Sequence, residues 1–145
     1  MKMNTKIYLK EVKKRCKRDN SKANNRLHWF SSNFSIYFSY IFLRLRFSAD
    51  FVTVLFFILG FVGAILYSFN SIILTLVAYV FWRLHIIVDM SDGDVARYNK
   101  SFSIRGAYWD AVIHSILNPL YFISISYSFF IQFESNLFLI IGCLS

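Results

Sequence analysis

Residues 51–69 read FVTVLFFILGFVGAILYSF, nineteen consecutive positions without a charged side chain. As an α-helix this stretch reaches about 28 Å, close to the thickness of one hydrocarbon core. Ser48 and Asp50 stand at its start, where a hydroxyl or carboxylate can accept from the free N–H groups of a first helical turn. Asn70 and Ser71 follow it as a short polar turn. The chain is therefore read as helices in lipid.

Outward from this run, a second span is expected over 72–90, containing Arg83 and His85 before it reaches Asp89. Residues 91–105 are charged and read as a connection. A third span is expected over 106–131, kinked at Asn118–Pro119. Residues 132–136 form another turn, and 137–145 begin a fourth span. Nine helical residues cover only about 14 Å, and a helix ending inside the bilayer leaves carbonyls that lipid cannot satisfy. The expectation is an incomplete reading frame, or a stump that another subunit covers. On the other side, residues 29–42 are dominated by Trp29, Phe30, Phe34, Tyr37, Phe38, Tyr40 and Phe42, with Arg44 and Arg46 just beyond. That segment is short for a span and suits a helix lying in the interface. The expected architecture is all-α: a polytopic transmembrane helix bundle with an N-terminal interfacial amphipathic helix. It divides into a basic arm, 1–30, and a partial transmembrane domain, 31–145.

Composition supports this. Of the 145 residues, 57% are hydrophobic, with 17 Phe, 9 Tyr and one Pro. A soluble domain this small could not hide that much apolar surface. The net charge of +8 sits in the arm, where residues 1–26 hold ten Lys/Arg and two acids; from residue 27 onward six basic residues balance six acidic ones. Beside apolar spans, such an arm meets anionic membrane lipid, and no nucleic-acid partner is expected. Arg44, Arg46, Arg97, Lys100 and Arg105 fall on the arm's side, whereas the two opposite turns carry no basic residue. This positive-inside pattern places the N-terminus in the cytoplasm. The expected setting is a multi-pass protein of a bacterial inner membrane. Cys16 in the arm and Cys143 in an apolar run are not expected to pair.

The chemistry gathers at one end. Asp89 and Asp92 are three apart and share a helix face that Ala96 extends; Gly106, Asp110 and His114 are spaced by four on the next helix. Two antiparallel helices would then face three carboxylates and an imidazole toward each other at the inner boundary. Such a cluster repels itself unless cations neutralise it, and oxygen-rich sites suit hard ions such as Mg²⁺ or Mn²⁺. Gly93, Ala96 and Gly106 permit close approach of a ligand or backbone. Arg97 offers a fork of donors suited to phosphate. With an apolar vault alongside, the set suggests phosphoryl transfer on an amphiphilic substrate. An EF-hand is excluded, because setting Gly93 at the loop glycine puts Val88 and Met90 where acidic ligands belong. Arg83 and His85 have two readings, one facing a cavity and touching substrate, the other near the interface and paired with Asp89 or snorkelling. His28 is read as a surface residue, Trp82 and Trp109 as interface anchors, and Asp94, off the shared face, as solvated.

The stretch from Asp89 to His114 resembles the signature of the CDP-alcohol phosphotransferase family, D-x-x-D-G-x-x-A-R, about eight residues, then G-x-x-x-D-x-x-x-D. Asp89, Asp92, Gly93, Ala96, Arg97, Gly106 and Asp110 match it at the expected separations. The likeness extends back to Arg46-Phe-Ser-Ala-Asp-Phe-Val-Thr and covers roughly residues 40–130. It implies that Asp89, Asp92 and Asp110 hold two divalent cations, Mg²⁺ or Mn²⁺, on the diphosphate of a CDP-alcohol. Gly93, Ala96, Arg97 and Gly106 would shape the nucleotide and phosphate pocket. The hydroxyl of an acceptor alcohol would attack the phosphorus next to the alcohol moiety, and CMP would leave. The resemblance also implies a homodimer and about six spans. The family's fourth aspartate is His114 here. A neutral imidazole can accept a proton near pH 7 and can bind a metal, so His114 is the expected catalytic base. The rival expectations are an inactive family member acting as a partner subunit, and a transporter. A transporter predicts polar residues deep in several spans, whereas here they gather at one end.

Overall fold

The structure, a computed structural model, describes residues 5–16, 26–101 and 103–144, and of residues 5–8, 15 and 26–30 the backbone alone. The remainder of the basic arm and the side chain of His28 lie outside the described residues. Among these residues every regular element is a helix: α1 (Thr5–Arg15), α2 (Arg26–Arg44), α3 (Ala49–Tyr67), α4 (Ile72–Asn99), α5 (Ile104–Phe133) and α6 (Asn136–Leu144). Helices α3, α4 and α5 are each long and apolar enough to cross a membrane. Their outward faces are themselves apolar, with Val54, Ile58 and Ile65 on α3, Ile73, Leu76 and Val80 on α4, and Ile116, Phe122 and Ile123 on α5 all exposed. A surface of this kind belongs against lipid. The protein is a membrane protein with an all-α fold.

Helix α3 is the central post, packing on both α4 and α5. Its buried face runs through Val52, Phe56, Gly60, Gly63 and Tyr67, steps of four and three that keep one stripe inward. At Gly60 an added Cβ would lie 2.5 Å from Leu117 Cδ1 and 2.9 Å from His85 Cδ2. Glycine is therefore what lets α4 and α5 close on α3, the small-residue packing of helices that have little hydrophobic drive to associate in lipid.

Of the segment 91–105, read from sequence as a charged connection, residues 91–99 are helical, in keeping with the helix face read through Asp89, Asp92 and Ala96. Helix α4 continues to Asn99, and the link to α5 is only four residues long. Twenty-eight helical residues reach about 42 Å, longer than a hydrocarbon core of about 30 Å, and the charged residues fall in the last turns of α4. It stops at Lys100, whose left-handed backbone (φ 52°) sends the Lys100 N–H to the Arg97 carbonyl and the Ser101 N–H to the Ala96 carbonyl. This is the paired closure of a Schellman motif. Arg46 (φ 59°) ends α2 in the same way, with Phe47 N–H reaching the Phe42 carbonyl. Helix α5 then opens at Ser103, whose Oγ accepts from the Gly106 N–H at 2.9 Å, and it runs unbroken through Pro119. Ser103→Ala should remove about 1 kcal/mol of stability, read as a lower thermal midpoint in detergent.

Helix α2 packs on α4, and its inward face is not the aromatic one. Ser31, Ser32, Ser35 and Ser39 are buried, while Phe34, Tyr37 and Ile41 are exposed. Over its first three turns of described side chains the small polar residues face protein and Phe34 and Tyr37 face outward, while toward its end Phe42 and Leu43 turn into the apolar core.

Candidate functional site

Three helices bring chemistry to the end of the bundle where α4 stops and α3 and α5 begin. From α4 comes Asp89 and from α5 come Asp110 and His114, one helical turn apart. His114 Nε2 lies 3.5 Å from Asp89 Oδ1 and 3.4 Å from Asp110 Oδ1. One ligand atom from each of the three residues lies within 4.8 Å of the others. Around an octahedral cation with bonds near 2.1 Å, adjacent ligand atoms stand about 3.0 Å apart and opposite ones about 4.2 Å. The observed spacing is slightly wider than that and fits a single divalent ion after small side-chain movements. Asp110 Oδ1 is shut off from water without a well-formed hydrogen bond, a buried acceptor that a cation would satisfy.

The rest of the site supports this cluster. Phe56, fully buried on α3, stacks on the His114 ring with centroids 5.9 Å apart. His85 on α4 meets Phe56 and His114 edge-on, at 5.8 and 6.0 Å, and also neighbours Tyr121. With 3% of its surface exposed, His85 is an interior residue packed behind His114; it neither snorkels nor faces solvent. Arg83, two residues earlier, turns to α2 and donates to Ser31 Oγ at 2.9 Å. Trp82 stacks on Tyr121 with centroids 5.2 Å apart, and so packs within the bundle.

Asp92, expected to join Asp89 and Asp110, falls outside the tight cluster. Its Oδ2 accepts from Thr53 Oγ1 of α3 at 2.5 Å, which fixes the carboxylate one turn further along the same helix face. Gly93 forms a floor for the Arg97 guanidinium, whose Nη2 would be 3.5 Å from a Cβ at that position. Ala96 is half-buried beside it and serves the helix stop through its carbonyl. Gly106, at the N-terminus of α5, lines a cavity of about 330 Å³ between α3 and α5 together with Asp50, Thr53, Phe57, Arg105 and Trp109. Trp109 is thus half-exposed on the wall of a cavity.

Asp94 corrects the sequence reading most sharply. It is not solvated: 1% of it is exposed, and its carboxylate accepts from Ser35 Oγ at 3.3 Å, Ser39 Oγ at 3.2 Å and Arg97 Nη2 at 2.6 Å. Two residues beyond Asp92 is about 200° around a helix, so Asp94 does leave the shared face. The face it joins is covered by α2. Cys16, just after α1, reaches the same place, with its Sγ donating to the Asp94 main-chain carbonyl at 3.4 Å. Phe56 and the α2 serines carried no signal in the sequence beyond residue type, and Thr53 carried only its place at the end of the Arg46–Thr53 likeness, because their roles come from helices far apart in the chain.

Neither a model of a known protein family nor a curated protein matches this chain.

Proposed function

We propose that the protein is a membrane-embedded transferase of the CDP-alcohol phosphotransferase kind. It would move a substituted phosphate group from a CDP-alcohol, such as CDP-diacylglycerol, to the hydroxyl of an acceptor alcohol, with release of CMP. The observation that carries this reading is the convergence of Asp89, Asp110 and His114, with ligand atoms within 4.8 Å, from two helices that bear a seven-position likeness to that family's signature. Asp89, Asp92 and Asp110 would hold two divalent cations, Mg²⁺ or Mn²⁺, which when bound neutralise the diphosphate and the charge that develops on it. Arg97 would bind phosphate, and Gly93, Ala96 and Gly106 would leave room for it. The cavity at Gly106, with apolar walls and Arg105 and Asp50 at its rim, suits an amphiphilic ligand.

His114 has two roles open to it on chemical grounds. As a base it would take the proton of the acceptor hydroxyl. As a ligand it would close the cation cage, and the position of Nε2 within 3.5 Å of both carboxylates favours this second role. An imidazole ligand suits Mn²⁺ better than Mg²⁺. CMP release is therefore expected to be faster with Mn²⁺, and His114→Asp should shift the preference toward Mg²⁺. Equal activity with both ions before and after the substitution would count against the ligand role.

In a cell the protein would be multi-pass, with its N-terminus and site on the cytoplasmic face of a bacterial inner membrane and two copies forming a homodimer. The direct test is CMP release from a CDP-alcohol by the purified protein in lipid. Cation-dependent flux without CMP release would favour a transporter. Activity that appears only after His114→Asp would favour an inactive partner subunit.

A further inference from the structure

A buried polar seam runs between α2 and α4. Ser31, Ser35 and Ser39 repeat every four residues along α2 and all are buried. Ser91 Oγ donates to the Ser35 carbonyl at 3.0 Å, and the Ser35 and Ser39 hydroxyls both donate to Asp94 Oδ2. An ionised carboxylate this deep is costly unless charge and hydrogen bonds compensate it. Here both are present: a guanidinium donates to one oxygen, and the Ser35 and Ser39 hydroxyls lie 3.3 and 3.2 Å from the other, each sharing its single proton with a main-chain carbonyl, that of Ser32 at 3.0 Å and that of Ser35 at 2.7 Å.

That guanidinium belongs to Arg97. Its inner edge is locked onto Asp94 at 2.6 Å, while 36% of its side chain stays exposed. Gly93 lies beneath it without a side chain, with a Cβ there falling 3.5 to 3.9 Å from Nη2, Nη1 and Cζ. An arginine side chain loses much rotamer freedom when it binds an anion, and a fixed fork loses less. The seam thus holds Nη2 in place, Nε is buried beside it without a hydrogen bond, and the exposed third of the side chain is what remains for a ligand.

We propose that Asp94, braced by Ser35 and Ser39, is a positioning residue that orients Arg97 for the phosphates of the substrate. This rests on the reading of Arg97 as a phosphate-binding residue. Asp94 stands at an unspecified position of the signature, so the resemblance assigns it nothing. Helix α2, far from the acidic cluster in sequence, becomes part of the substrate site through it.

The test uses the full chain in lipid nanodiscs with Mn²⁺. Asp94→Asn keeps an oxygen for the two serines and removes the charge that locks Arg97. It is expected to raise KM for CDP-diacylglycerol about 10-fold or more, by analogy with lost supporting contacts at ligand sites, while lowering kcat far less. In an Arg97→Ala background the same change should add nothing further to KM. Should Asp94→Asn fail to fold, the Ser35→Ala/Ser39→Ala pair, which retains the ion pair, carries the test, with a smaller rise in KM expected. A lower thermal midpoint with KM unmoved, or effects of Asp94→Asn and Arg97→Ala that multiply independently, would overturn the positioning role alone. Wild-type protein that neither binds CDP nor releases CMP would overturn the transferase reading beneath it, and the proposal with it.

Discussion

Asp110→Ala is expected to reduce CMP release by a factor on the order of 10² to 10³, the scale at which removal of one group that stabilises transferring charge is felt. Asp110 is the one carboxylate that α5 brings to the cluster, and it is the nearer of the two acids to His114 Nε2, at 3.4 Å against 3.5 Å. Its loss leaves Asp89 without its partner across the helix pair and removes one of the restraints on the imidazole. The substitution shortens a half-exposed side chain near the start of a long helix, and alanine is the best helix former, so the fold should persist. The check is CMP release and thermal midpoint on the same preparation. Activity retained within a few-fold would mean that Asp110 is not part of the reacting site.

Gly60→Leu should have the largest effect on stability. Its Cβ alone would come within 2.5 Å of Leu117 Cδ1 and 2.9 Å of His85 Cδ2, and both neighbours are buried. Leu117 is fully buried, and His85 is wedged between Phe56, His114 and Tyr121. Overpacking of this kind costs about 1–3 kcal/mol, and more where the backbone must move. Relief requires α3 to part from α4 and α5, which carries away Phe56, stacked on His114, and Thr53, bonded to Asp92. A drop of several degrees in the unfolding midpoint in detergent, together with lost activity, is expected. An unchanged midpoint would mean that the three helices are not packed this closely.

Most of the fold was legible in the sequence because lipid imposes a simple rule. An uncharged run such as residues 51–69 must bury its backbone polar groups in its own hydrogen bonds, and a helix does so. The length of α4 was less legible, for an equally physical reason. Asp89, Asp92, Gly93, Asp94 and Arg97 have the composition of a loop, yet helix geometry is kept there by packing against α2 and by the Asp94–Arg97 pair three residues apart. For the site, spacing along α4 and α5 was enough to place Asp89, Asp110 and His114 on facing stripes. It could not reveal that Thr53 would hold Asp92, that Phe56 would stack on His114, or that a row of serines on α2 would take in Asp94. Those are contacts between residues 39 to 59 positions apart in the chain for the hydrogen bonds alone, and helix periodicity is silent on which helix lies beside which.

The most direct measurement is electron paramagnetic resonance of Mn²⁺ titrated into the purified protein in nanodiscs. The expected result is loss of the free hydrated Mn²⁺ signal on binding, with a nitrogen hyperfine coupling from an imidazole that vanishes in His114→Asp and with binding weakened in Asp110→Ala. A spectrum that remains that of the hydrated ion at every protein concentration would contradict a cation site built by Asp89, Asp110 and His114.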